Sequence, residues 1–207
     1  MESFKIVGLC IIVAIAYGIS QDLITTRVCV EYFTIGHPPV WGGVADPTLL
    51  ALTWGVLATW WVGLFLGVGA ALAARIGKRP RASWRDLLKP VLILMATVGM
   101  AASAAGLITF LGTSDDDRFP GFPPEVPQHR RRLFAVDLAA HNAAYLVGFV
   151  GGVVCCALIW WKRGASERQT RRDALIRHKQ RIEDSLPGRI YDGIVRPISK
   201  KKQAPFE

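Results

Sequence analysis

No CxxC, CxxCH, HExxH, glycine-rich phosphate loop or nucleophile elbow occurs in the sequence. It therefore carries none of the short motifs that mark haem attachment, zinc hydrolysis, nucleotide binding or serine hydrolysis. Cysteine is scarce. Cys10, Cys155 and Cys156 lie inside apolar runs and Cys29 stands alone, which leaves no disulfide framework. The vicinal Cys155-Cys156 pair diverges on a helix and reads as two small buried hydrophobes. Acidic residues are also few, 16 against 25 Lys and Arg, for a formal net charge of +9. Such a balance can indicate nucleic acid, but here the bases flank apolar segments instead of building a module of their own. Anionic lipid is the expected partner, and nucleic acid is not.

Apolar residues, by contrast, are abundant. At 51% hydrophobic and a mean hydropathy of +0.30 over 207 residues, the chain is too apolar for a water-soluble globule. The expected fold is all-α, a bundle of four transmembrane helices over about 3–20, 49–74, 91–111 and 133–161. Together these make a transmembrane domain, 1–161, followed by a basic tail, 162–207. The first span also fits a signal peptide ending at Ala14-Ile15-Ala16. A retained helix is preferred, because the apolar run passes into a polar stretch without a small-residue linker. Gly63, Gly67 and Ala71 repeat every fourth residue in the second span, and Ala96, Gly99, Ala102, Ser103 and Gly106 crowd the third. Small residues of this kind let helix backbones approach closely.

The loops divide by charge. Arg75, Lys78, Arg79, Arg81, Arg85 and Lys89 follow the second span, the pattern of a cytoplasmic loop. Ser83 caps a short interfacial helix there, and Pro90 is expected to end it. The loop of 112–132 holds Asp115-Asp116-Asp117 and several prolines. It reads as irregular and exposed, its aspartates a solvated turn more than a calcium site. Glu167/Arg171 and Asp173/Arg177 predict a solvated helix as far as about Ser185, where Pro187 and Gly188 break it. Lys200-Lys201-Lys202 is expected to lack fixed structure. Charge counting places both termini in the cytoplasm. Arg130-Arg131-Arg132, on the outer side, runs against that rule.

The chemistry concentrates between the first two spans and at the start of the fourth. Asp22, Glu31 and His37 precede the second span, while Asp137, His141, Tyr145, Gly148 and Gly152 form one stripe on the fourth, which must face protein. With both ends inside, Asp22, Glu31, His37, Asp137 and His141 share one membrane level. Two imidazoles and up to three carboxylates there suit zinc, iron, manganese or copper. Asp137 and His141 are expected to face the interior and meet Glu31 or His37. The alternatives are structural: Arg27 pairs with Glu31, His37-Pro38-Pro39 forms a turn, Asp137 meets Arg27 or Arg130, and Tyr145 hydrogen-bonds across the bundle. The stretch from Asp22 to Thr34 prolongs the first helix, although Ile24, Thr25, Thr26, Val28 and Val30 are β-branched.

Three functions fit these residues. The first is an accessory or structural subunit of a membrane assembly with a polar cluster at its outer face. The second is a membrane metal or redox protein, and the third is a small proton or solute pathway. The run YG-x-x-QD-x-x-T-x-RVC-x-EYFT-x-x-HPP, from Tyr17 to Pro39, resembles that of a family of bacterial integral-membrane proteins of uncharacterised activity. The resemblance implies a multi-pass protein of the bacterial inner membrane and carries no site residue with it.

Overall fold

The computed structural model describes residues 1–115 and 119–185, and all the regular structure among them is helical. Asp116, Asp117, Pro187, Gly188 and Lys200-Lys201-Lys202 lie outside the described residues. Among the described residues four helical segments are long and apolar enough to cross a membrane: Glu2–Val28, Pro47–Arg75, Trp84–Gly112 and Gln128–Ile182. The all-α class and the number of spans are therefore as the hydropathy predicts. The chain divides into two compact units, Met1–Arg163 and Gly164–Glu207.

In the first unit α1 (Glu2–Val28) is the central helix, packed on α3 (Pro47–Leu57), α4 (Trp60–Arg75) and α5 (Trp84–Gly112). Its β-branched end stays helical because the Thr25 and Thr26 hydroxyls donate back to the Gln21 and Asp22 carbonyls, at 3.2 and 2.7 Å. The helix stops at Cys29, which is extended (φ −146°, ψ 94°), and the chain restarts as α2 (Val30–Thr34). The continuation expected as far as Thr34 is thus interrupted once, by one extended residue.

The second span is two helices, not one. Asp46 caps α3 by accepting the Leu49 amide at 2.7 Å, and α3 ends at Ala58. The Thr59 hydroxyl donates to the Gly55 carbonyl at 2.5 Å, the kind of back-bonding that bends a helix. Small residues then bring α3 and α4 onto α1. A Cβ on Gly55 would meet the Ile19 Cα at 2.6 Å, and one on Gly67 would meet the Val7 Cα at 2.8 Å. The groove of Gly63, Gly67 and Ala71 is therefore filled within the chain, by α1.

The third span departs from expectation at Pro90, which lies inside α5 and does not end a separate helix. Proline removes one bond to the carbonyl four residues earlier, a loss that transmembrane helices accommodate. The start of α5 is fixed by Asp86, whose carboxylate accepts from the Ser83 amide at 2.8 Å and hydroxyl at 2.7 Å.

The fourth span belongs to α6 (Arg131–Ser185), entered through a 3-10 turn at Gln128–Arg130. Its Arg163 is 5% exposed. The guanidinium donates to the carbonyls of Ala73, Pro80, Ile76 and Arg79, the last three at 2.7, 3.0 and 3.0 Å. These carbonyls belong to the last turn of α4 and the loop after it, where a helix leaves acceptors unmatched. The core between the helices is apolar, with Ile6, Cys10, Ala70, Ala74, Val91, Leu94, Val98, Cys155 and Ile159 all buried.

The second unit is helical throughout its described residues, which run to Ser185; the break expected at Pro187 and Gly188 lies outside them. Arg171 donates to Glu167 at 2.8 Å as predicted. Asp173 accepts from Gln169, four residues before it, at 3.1 Å, and not from Arg177; on an exposed face both lie within one turn.

Candidate functional site

Buried polar residues of the first unit occupy two levels. Arg163 sits at one, and Asp22, Thr25, Thr26 and Asp137 share the other. The second level is built from the last turns of α1 and the first turns of α6. Four residues separate Asp137 from His141, so both share one face of a rigid helix.

The His141 ring has a defined hydrogen-bonding order. Its Nδ1 lies 2.7 Å from the Asp137 backbone carbonyl, which can only accept, so Nδ1 carries hydrogen. Its Nε2 lies 3.2 Å from Asp22 Oδ1. A ring protonated at Nδ1 offers a lone pair at Nε2 unless it is cationic. One further proton must therefore sit between His141 and Asp22, either on the ring or on the carboxyl.

Asp137 differs. It is 1% exposed, and neither carboxylate oxygen has a hydrogen-bond partner. The charges acting on it are Asp22 and Glu31, which repel it, and Arg130, which attracts it. The Cys29 amide lies near but is engaged with the Thr25 carbonyl at 2.9 Å. Deeper in the bundle, the Tyr17 hydroxyl is also buried without a partner.

Aromatic rings close the site. Tyr32 stacks on His141 with centroids 4.6 Å apart and meets His37 edge-on at 5.0 Å. It also touches Phe33 at 5.3 Å and Phe134 at 5.4 Å. His37 donates from Nδ1 to the Tyr32 carbonyl, 2.9 Å away, and packs on Trp54 at 4.7 Å. Cys29, Tyr32, Phe33, Leu50, Val126 and Phe134 make a second apolar cluster here. Val126 is 1% exposed, so the proline-rich loop, expected to be irregular and exposed, contributes one residue to a core.

Glu31 takes a structural place in this lid. Its carboxylate accepts from Arg130 Nε at 3.0 Å to each oxygen and pairs with Nη2 at 3.0 Å, and Arg130 also donates to the Val28 carbonyl at 3.1 Å. Burial pushes the Glu31 carboxyl up, but the Arg130 bonds outweigh it, and the net shift is downward. Burial pushes the Cys29 thiol up to about 12, so it remains protonated and donates to Glu31 Oε2 at 3.3 Å.

The five candidate residues are thus gathered at one end of the bundle but do not share a centre. His141 meets Asp22, whereas Glu31 or His37 was expected. The Tyr32 ring lies against both imidazoles, and Glu31 is committed to Arg130. Among the described residues no three of His, Cys, Asp and Glu are grouped as a metal ion would require. Arg27 pairs with no acid: it donates to the Leu23 carbonyl at 2.6 Å and the Thr48 hydroxyl at 2.9 Å. Tyr145 is 44% exposed, off the inward face expected for it.

The three arginines that ran against the charge rule have local partners. Besides Arg130, Arg131 donates to the Val126 carbonyl at 3.2 Å. Arg132 donates to the Phe110 carbonyl at 2.7 Å, lies 4.0 Å over the Phe110 ring and pairs with Asp115 at 3.7 Å. Tyr32, Trp54, Phe134 and Arg130 were not singled out as site residues from sequence. Two signals pointed to Arg130, the clash with the charge rule and its place as a possible partner of Asp137; its partner is Glu31 instead. No protein-family model, curated protein or solved structure matches the chain.

Proposed function

We propose that the chain is a multi-pass membrane protein whose working part is an acid–base site holding a proton on Asp137 beside the Asp22–His141 pair. The observation that carries this is the burial of both Asp137 oxygens without a donor. An ionised Asp inside a span costs about 2.5–3.5 kcal/mol on insertion scales, and Arg130, the one cation acting on it, is committed to Glu31. A proton on Asp137 removes the charge without a cavity or a further ligand.

The site has apolar clusters on both sides. Along α6, Phe134 precedes it and Val147 follows it, and along α1, Cys29 lies beyond it and Cys10 behind it. That arrangement favours a site served from one face, under the α2 lid, over a route through the membrane. The small-residue groove of α4 offers no support for an accessory subunit, because α1 fills it.

Infrared spectra of the protein in vesicles should contain the carbonyl band of a protonated carboxylic acid at neutral pH, and Asp137→Asn should remove it. That variant replaces one neutral group by another of the same shape, so its stability should stay within about 1 kcal/mol of the parent. A spectrum without the band at neutral pH overturns the reading. So does stoichiometric metal in the purified protein that His141→Ala removes.

The location belongs to the same proposal: a bacterial inner membrane, with the Lys78–Lys89 loop and the tail in the cytoplasm. The excess of Lys and Arg in those two segments supports it. In a variant without native cysteines, a cysteine placed in the tail should escape an impermeant thiol reagent applied to intact cells. Labelling there reverses the topology.

A further inference from the structure

Arg85, Lys89, Leu92 and Ala96 follow one another on α5 at spacings of four, three and four residues. At ~1.5 Å per residue this makes a straight stripe of about 16 Å. With Leu88 and Ile93 these residues line an open groove of about 390 Å³. Its surface is hydrocarbon, and Arg85 and Lys89, which line its first turn, carry a guanidinium and an ammonium at its border.

Three other basic groups of this end, Arg163, Arg75 and Arg79, are engaged. Arg163 is bound to four carbonyls. Arg75 donates to the Ala82 carbonyl at 3.3 Å, and Arg79 donates to the Trp160 carbonyl at 2.9 Å and lies 4.4 Å over its ring. Arg85 and Lys89 have no such arrangement. Asp86, the acid between them in sequence, is turned back to Ser83. The Arg85 guanidinium lies 5.6 Å over the Trp84 ring. Among the described residues no carboxylate reaches ion-pair distance of either group. Two exposed cations at the start of a span, with an apolar groove running on from them, lack an anion that itself carries hydrocarbon.

We propose that this groove seats one anionic phospholipid. Its phosphate lies between Arg85 and Lys89, and one acyl chain runs along Leu88, Leu92, Ile93 and Ala96. From Lys89 to Ala96 the stripe covers about 10 Å, the outer third of a ~30 Å hydrocarbon layer. Ala96 is the smallest of the lining side chains, so a larger residue there takes up part of the groove. A zwitterionic lipid brings a cation of its own that Arg85 and Lys89 repel. Free phosphate matches the charge and leaves the apolar part empty.

The test uses the full chain in detergent micelles and native mass spectrometry, with phosphatidylglycerol and phosphatidylcholine of identical acyl chains. Each basic side chain near an anionic headgroup is worth about fivefold in binding. Phosphatidylglycerol should therefore be preferred by roughly twenty-five- to thirtyfold. Arg85→Gln/Lys89→Gln should abolish the preference, and Ala96→Leu should weaken retention of both lipids. Equal retention of the two lipids by the parent, or a preference that survives the double change, overturns the site. Displacement by inorganic phosphate at matching concentration makes it a free-anion site and overturns the lipid assignment. If the double variant fails to fold, Ala96→Leu decides alone, and undiminished phosphatidylglycerol binding then refutes the groove.

Discussion

Replacing Arg163 by alanine is expected to destabilise the first unit by about 3–5 kcal/mol, the sum of several carbonyls losing a charged donor less what water restores at the membrane edge. Among the described residues the guanidinium is the side-chain donor serving Ala73, Ile76, Arg79 and Pro80. Two of these are the closing carbonyls of α4, which have no successor amide to accept from. The planar fork matters as much as the charge, because its nitrogens address carbonyls from two directions at once. Arg163→Lys should therefore recover less than half of the loss, its ammonium reaching only part of the set. Reversible unfolding in mixed micelles measures both. An Arg163→Ala midpoint equal to the parent's, or full recovery by lysine, removes Arg163 from the account of how α6 holds the loop after α4.

The second large effect is set by one methyl group. Gly63→Ala places its Cβ 2.7 Å from the Ile11 Cα, 2.8 Å from the Cys10 carbonyl oxygen and 2.9 Å from the Ala14 Cβ. Two of these neighbours are backbone, which cannot turn aside as a flexible side chain can, so α4 must move off α1. Overpacking of this kind costs about 1–3 kcal/mol. The same change at Gly8, where nothing lies within 4 Å of the new Cβ, should stabilise by about 0.5–1 kcal/mol through the helical preference of alanine over glycine. Opposite signs for one chemical change would establish that contact, not propensity, rules at Gly63. Melting curves of the two variants suffice, and a loss at both positions or at neither counts against close α1–α4 packing.

The spans were legible because a membrane demands about twenty apolar residues in sequence, and that demand is written locally. What the chain does inside the spans is less local. Thr59 is an ordinary residue in an apolar run, and its back-bonding to Gly55 becomes visible only with coordinates. Pro90 was misread because proline commonly ends helices in water, whereas within α5 it removes one bond and the helix runs on. Arg163, two residues past Trp161, resembles the first residues of a charged tail, and only the folded chain brings it to the loop after α4.

The common location of the five candidates was legible, and their pairing was not. Charge in an apolar context singled out Asp22, Glu31, His37, Asp137 and His141, and all five lie at one end of the bundle. Which acid would meet His141 depended on where α1 breaks. The extended residue at Cys29 turns Glu31 towards Arg130 and sets the Tyr32 ring between the imidazoles. Arg130 appeared in the sequence as a violation of the charge rule. It stands where it does because Glu31 and the Val28 carbonyl bind it, and a bound arginine is no longer a free topological charge.

The division of the second span at Ala58 and Thr59 acts as a correction of phase. Residues four apart drift by about 40° around a helix of 3.6 residues per turn. Over the twelve residues from Gly55 to Gly67, an unbroken helix would turn one of these glycines roughly 120° away from the other. In the folded chain both face α1, Gly55 against Ile19 and Gly67 against Val7. The two rods keep separate angular settings, and the joint absorbs the difference. A lone stripe of small residues at every fourth position thus gains twice the useful length along one partner. The interruption lets a period that does not match the helix serve a contact that runs across most of the bundle.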